Sequence, residues 1–124
     1  MSLRPETILR GAIGRYFPHV GFVTDFSRDD LALIDLIVRL NPNVKIFYRR
    51  TPYTFRETDE VLARLNARYY ITPIGVERFD PRAWGLKALI SSTRAEVAPF
   101  VRDGGLVRVN PLAGLTREEV EVPA

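Results

Sequence analysis

The chain has 124 residues, is 46% hydrophobic and 27% charged, carries a formal net charge of +3 and contains no cysteine. That length supports one hydrophobic core and one domain, residues 1–124, rather than two. With no thiol of its own, the chain is excluded from disulfides, thiolate metal sites and any step that uses a protein cysteine as nucleophile.

No apolar run is long enough to span a bilayer, and the first residues lack a signal-peptide core, so a cytoplasmic protein with no membrane contact is expected. Of the 18 basic residues, sixteen are Arg, a side chain suited to two-pronged binding of phosphate or sulfate. They are scattered, with only Arg49 and Arg50 adjacent, which argues against a nucleic-acid-binding stripe. The single His19 cannot build a metal cluster alone and reads as structural.

In chain order, Pro5 to Tyr16 predicts a helix, with Pro5 in its first turn and Ile8, Leu9, Ala12, Ile13 and Tyr16 on one face. Val20 to Thr24 reads as a strand buried on both faces, because it lacks polar alternation. A helix follows from about Ser27 to Leu40, with Ser27 or Asp29 as N-cap and an Asp35–Arg39 pair on its exposed edge. Val44 to Tyr48 is the second strand, Phe55 to Arg68 an amphipathic helix, and Tyr69 to Thr72 the third strand. Ile74 to Trp84 reads as a loop. Lys87 to Ser91 is expected as strand four, Thr93 to Val101 as a helix, and Leu106 to Val109 as strand five after the Asp103-Gly104-Gly105 turn. Thr116 to Glu119 carries a capping-box pattern.

Strand, crossover helix, strand is the parallel βαβ unit. Ligands in such sheets sit beyond the carboxyl ends of the strands, here residues 24–30 and 49–52. The turn from Asp25 to Asp30 opens a helix, where free amides and the dipole favour an anion. It holds no glycine and three carboxylates, Asp25, Asp29 and Asp30, so it reads either as a modified phosphate loop with Ser27 and Arg28 or as a charged helix cap. Arg49, Arg50 and Thr51 at the neighbouring strand end, and Arg94 after strand four, are further candidate anion ligands. Tyr48, Tyr53 and Phe55 read either as base-stacking groups or as core and rim. Asp29, Asp30 and Glu57 fit no known metal-ligand spacing, so no metal is assigned.

The run Thr24-Asp25-Phe26-Ser27-Arg28-Asp29-Asp30-Leu31-Ala32-Leu33-Ile34-Asp35-Leu36-Ile37 resembles the S-F-G-x-E-D-x-V-L-L-x-L segment of phosphoadenylyl-sulfate and adenylyl-sulfate reductases. Asn41-Pro42-Asn43-Val44-Lys45-Ile46-Phe47 is similar to that family's N-P-x-v-x-v-F, and Asn110 to Val120 resembles its N-P-L-a-x-W-t-x-x-x-V. The resemblance implies an α/β, Rossmann-like fold of the adenine nucleotide α-hydrolase type: about five mostly parallel strands with helices on both faces. It implies a site for adenylyl sulfate or its 3′-phosphorylated form, used in sulfate assimilation.

The chain also departs from that pattern. The family's nucleophile is a cysteine in a C-terminal E-C-G-x-H motif, and members acting on adenylyl sulfate add cysteines for an iron–sulfur cluster; neither is available here. Arg50 and Pro52 replace the Asp and Gly of the family's L-D-T-G, Asp25 replaces the first Ser of its phosphate loop, and G-L-R-R is reduced to Ser91-Ser92-Thr93-Arg94. The expectation is a truncated, degenerate member that binds an adenylyl nucleotide or a sulfate-like anion through Asp25, Ser27, Arg28, Asp29, Arg49, Arg50, Thr51 and Arg94. No residue is assigned as catalytic and no cofactor is expected. The alternative is a non-binding interaction domain whose site is closed by an Asp25–Arg50 pair. Association as a homodimer or with a sulfur-assimilation enzyme is the partner expectation.

Overall fold

The computed structural model describes residues 4–50, 56–94, 98–116 and 118–120. The order is α1 (Pro5–Tyr16), β1 (Val20–Thr24), α2 (Arg28–Leu40), β2 (Lys45–Arg49), α3 (Arg56–Tyr69), β3 (Ile74–Val76), β4 (Ala88–Ile90), β5 (Phe100–Asp103) and β6 (Leu106–Val109). The strands form one sheet in the order β3-β2-β1-β4-β6-β5. All pairings are parallel except β5 with β6.

The pleat sorts side chains by parity. Val20, Phe22 and Thr24 of β1 are in register with Ala88 and Ile90 of β4 and with Ile46 and Tyr48 of β2. Their apolar members join Ile8, Leu9, Ala12 and Ile13 of α1, Leu33, Ile34 and Ile37 of α2, and Leu65 of α3 in one core. Helix α2 lies beside α3: the Tyr69 hydroxyl donates to Asp35 Oδ1 at 2.7 Å, while Arg39 pairs with Asp35 Oδ2 at 3.1 Å. Burial first, and then that hydrogen bond, push Tyr69 up to about 12.

The opposite face carries Gly21, Phe47 and Leu89 and is covered differently. Residues 77–87 must run from β3, at one edge, past β2 and β1 to β4. Eleven residues are too few for a helix with its two connections, and a turn crosses instead. Phe79 and Trp84 pack on Phe47, each at 4.9 Å between ring centroids. Leu86 drops onto Gly21, where a Cβ would stand 3.0 Å from Leu86 Cδ1 and 3.1 Å from Phe47 Cε2. So the described helices α1, α2 and α3 pack into one core, and residues of the 77–87 segment cover Phe47 and Gly21 on the opposite face.

Three other expectations change. The third strand is Ile74–Val76, not Tyr69 to Thr72. Helix α3 continues through Tyr69, Tyr70 turns the chain at φ +58, and the Asn66 side chain donates to the Ile71 carbonyl. Pairing with β2 then starts only after Pro73. The helix expected from Thr93 to Val101 is not present among the described residues: Thr93 and Arg94 are irregular and Phe100–Asp103 is a strand, while residues 95–97 lie outside the described residues. Alternating Val101-Arg102-Asp103-Gly104-Gly105-Leu106-Val107 is a hairpin, with Asp103 opposite Leu106 and Gly104 at φ +65. The sheet therefore has six strands, not five. The capping box forms as expected: Thr116 and Glu119 each donate a backbone amide to the other's side chain.

Because the crossover rests on the bare backbone of Gly21, we expect Gly21→Val to cost about 1–3 kcal/mol by overpacking. Urea unfolding checks this; a midpoint equal to wild type would show that the loop does not need that contact.

Candidate functional site

Strand β1 ends in Thr24, and α2 begins four residues later. Ser27 caps the helix, its hydroxyl accepting the Asp30 amide at 3.3 Å. Asp30 points back toward the sheet. Its Oδ2 accepts the Thr24 hydroxyl at 2.9 Å and the Asp25 amide at 2.8 Å. Thr24 Oγ1 accepts the Phe26 amide at 2.8 Å, and Asp25 Oδ1 accepts the Ser27 amide at 3.0 Å. These bonds hold Phe26 at φ +60, a left-handed conformation unusual for an aromatic residue, with its ring 5.7 Å from that of Tyr48.

A cleft of about 490 Å³ opens beside this loop, at the carboxyl ends of β1, β2 and β4. Its polar lining is Thr24, Asp25, Asp30, Arg49, Thr58, Ser91 and Ser92, and its apolar walls include Val23, Phe26, Tyr48 and Leu89. Connections from β1 run one way across the sheet and those from β4 the other, so this is the switch point where open parallel sheets bind ligands.

Asp30 is only 3% exposed, and its Oδ1 has no hydrogen-bond partner among the described residues. Burial first, and then the neighbouring Asp25 carboxyl, push Asp30 above the usual carboxylate range. Asp25 moves the other way: its hydrogen bond with Asp30 lowers it most, and Ser27 lowers it further.

Of the expected anion ligands, Asp25 and Arg49 line the cleft. Arg94 is drawn away to Asp29, with Nε 2.9 Å from Oδ2. Arg28 lies between Asp29, at 3.4 Å, and the Val120 carbonyl, at 3.0 Å. Ser27 serves as the helix cap. Thr51 lies outside the described residues, as do Tyr53 and Phe55.

The Asp25–Arg50 pair of the alternative reading is not formed. Arg50 directly follows Arg49, the last residue of β2, so the strand's alternation sends the two side chains to opposite faces. The Arg50 stem packs over Gly75, where a Cβ would meet Arg50 Cδ at 2.7 Å, and its amide donates to the Val76 carbonyl. The sequence reading passed over Thr24, Ser91, Ser92 and Thr58 as site residues. The strand-end rule signals Thr24 and Ser91; Thr58 comes from packing alone.

The model of the phosphoadenosine phosphosulfate reductase domain matches residues 20–89, more than half of the chain. The chain belongs to this family. The matched span holds β1 through β3, the start of β4 and most of the cleft lining. Among curated relatives, the phosphoadenosine 5′-phosphosulfate reductase of Gloeobacter violaceus is 25% identical over 160 residues, covering 96% of this chain and 66% of its own length. The chain thus spans just under two thirds of that relative. Among solved structures, phosphoadenylyl-sulfate reductase from Candida auris, in a phosphate complex, superposes with a TM-score of 0.77 at 20% identity, covering 96% of this chain and 77% of that one. Yeast FAD synthetase in complex with FAD gives 0.66 at 13% identity, covering 94% and 55%. At these identities the two structures establish the fold.

The carboxyl pair gives a signed expectation. Because Asp30 is raised, its share of folding stability is greatest below the unfolded value of about 3.9 and falls as pH rises through the folded value. Asp25, being lowered, loses its share as pH falls below the ordinary value. Carbon-detected NMR should show Asp30 titrating above Asp25. In Asp25→Asn, Asp30 should move down yet stay above the ordinary value; no movement would mean that the two carboxyls do not interact.

Proposed function

We propose that the chain is a reductase-family protein that binds an adenylyl nucleotide in the cleft beside β1 and β4 without supplying the thiol for sulfate reduction. The observation that carries this reading is the open cleft itself, about 490 Å³ at the switch point of the sheet, with Arg49 at its rim and an aromatic wall of Phe26 and Tyr48. Its volume suits a small nucleotide. Arg49 can hold a phosphate by charge-assisted hydrogen bonds, and the rings offer a face to a base. Support also comes from relatives: the Candida auris enzyme is a phosphate complex and yeast FAD synthetase holds FAD. The family reaction in sulfate assimilation needs a cysteine, and none of these 124 residues provides one. A thiol for that step would come from outside these 124 residues; the partner of this reading is a sulfur-assimilation enzyme, and two-fold self-association is its companion proposal.

Calorimetric titration with adenosine 5′-phosphosulfate, adenosine 3′,5′-bisphosphate and ATP tests this. At least one should bind saturably in the micromolar range. Arg49→Ala should weaken it about tenfold or more, as expected for losing a charge-assisted contact of about 1.5–3 kcal/mol. Arg50→Ala should leave it nearly unchanged. Failure of all three ligands, confirmed by equilibrium dialysis, would overturn the reading.

A further inference from the structure

We propose that the loop of residues 24–30 is an acceptor site, which receives the hydroxyl- and amine-bearing nucleoside end of the ligand and turns away oxyanions, so that any phosphate lies toward Arg49. The proposal rests on the nucleotide-binding reading above and fixes which end of the ligand meets which wall.

An oxyanion site needs free donors or net positive charge. Four of this loop's backbone amides and one of its hydroxyls are already taken within it. The amides of Asp25, Phe26, Ser27 and Asp30 all bond to oxygens of Thr24, Asp25, Ser27 or Asp30, and the Thr24 hydroxyl bonds to Asp30. The neighbouring cations are turned aside: Arg94 and Arg28 to Asp29, Arg50 over Gly75. Among the described residues, the charged side chains in the cleft lining are Asp25, Asp30 and Arg49, which leave no net positive charge.

What the loop does offer is oxygen. The Asp25 carboxylate is exposed at the mouth. Behind it Asp30, 3% exposed, holds Oδ1 without a partner, and Ser92, whose hydroxyl acts on the same carboxyl, also lines the cleft. A buried carboxyl oxygen with no donor is costly, and a ligand donor or a Ser92 hydroxyl turned by the ligand would satisfy it. Ribose hydroxyls and the adenine amine are donors; sulfate and fully ionised phosphate carry none. Charge and hydrogen-bond capacity thus agree on the same orientation.

Competition at fixed ionic strength tests this, with adenosine, adenosine 5′-monophosphate and inorganic sulfate as probes. Adenosine and its monophosphate should bind within about tenfold of each other, and sulfate should displace neither. Asp30→Asn, which puts a donor where an acceptor stood, should lose about tenfold or more in adenosine affinity, with circular dichroism checking the fold. If that variant does not fold, Asp25→Ala serves: it removes a charge and frees the Ser27 amide, so sulfate should begin to compete. Monophosphate binding without adenosine binding, displaced by sulfate in the wild-type chain, overturns this proposal and leaves the nucleotide reading standing. No binding by either adenosine compound overturns that reading and this proposal with it.

Discussion

The Asp30 carboxylate ties the end of β1 to the first turn of α2, and the geometry of the cleft depends on that tie. One oxygen, Oδ2, takes both the Thr24 hydroxyl and the Asp25 amide. The chain is thereby forced through a tight corner, with Phe26 left-handed and its ring turned to Tyr48. Such a residue is held only where its surroundings over-determine it. Here the Phe26 amide bond to Thr24 and the ring contact do so. The cost is a buried carboxyl with one oxygen unserved among the described residues, and burial beside Asp25 pushes that carboxyl above the usual carboxylate range.

The same corner sets the electrostatics. A loop that feeds its own amides to its own carboxylates keeps the position of a phosphate loop but not its chemistry. The surrounding arginines are likewise engaged in structure. Arg94 reaches across to Asp29 on α2, and Arg28 reaches the Val120 carbonyl near the end of the described chain. These contacts fasten the segments after β4 and β6 to the amino end of α2. They also leave Arg49 as the described cation in the cleft lining. The thin 77–87 crossover contributes by what it does not cover: Val23 and Leu89 stay half-buried and extend the cleft along the second sheet face.

Much of this was legible in the sequence because local signals and the βαβ rule agree. The apolar runs gave β1, α1 and α2 within a residue, and the capping residues Ser27 and Thr116 act as read. The strand-end rule pointed to residues 24–30 and 49–52, and the cleft opens there. What the sequence hid was register and reach. Arg49 and Arg50 look interchangeable in a string, but strand alternation sends them to opposite faces, and Arg50 packs over Gly75 rather than pairing with Asp25 as the alternative reading had it. Arg94 looked like an anion ligand because its partner Asp29 lies 65 residues away in sequence. The β5–β6 hairpin was mistaken in part for a helix because a four-residue strand carries little periodicity against a helical propensity. The third strand was misplaced because α3 ran one residue further and Pro73 delayed pairing.

The most direct measurement of the central claim is a crystal structure of the chain grown with adenosine 5′-monophosphate. The expected result is the nucleotide in the cleft between β1 and β4, ribose or base donors against Asp25 and Asp30, and phosphate beside Arg49. A phosphate seated on the amides of residues 25–27, with the Asp25 carboxylate swung out to make room, would contradict the account.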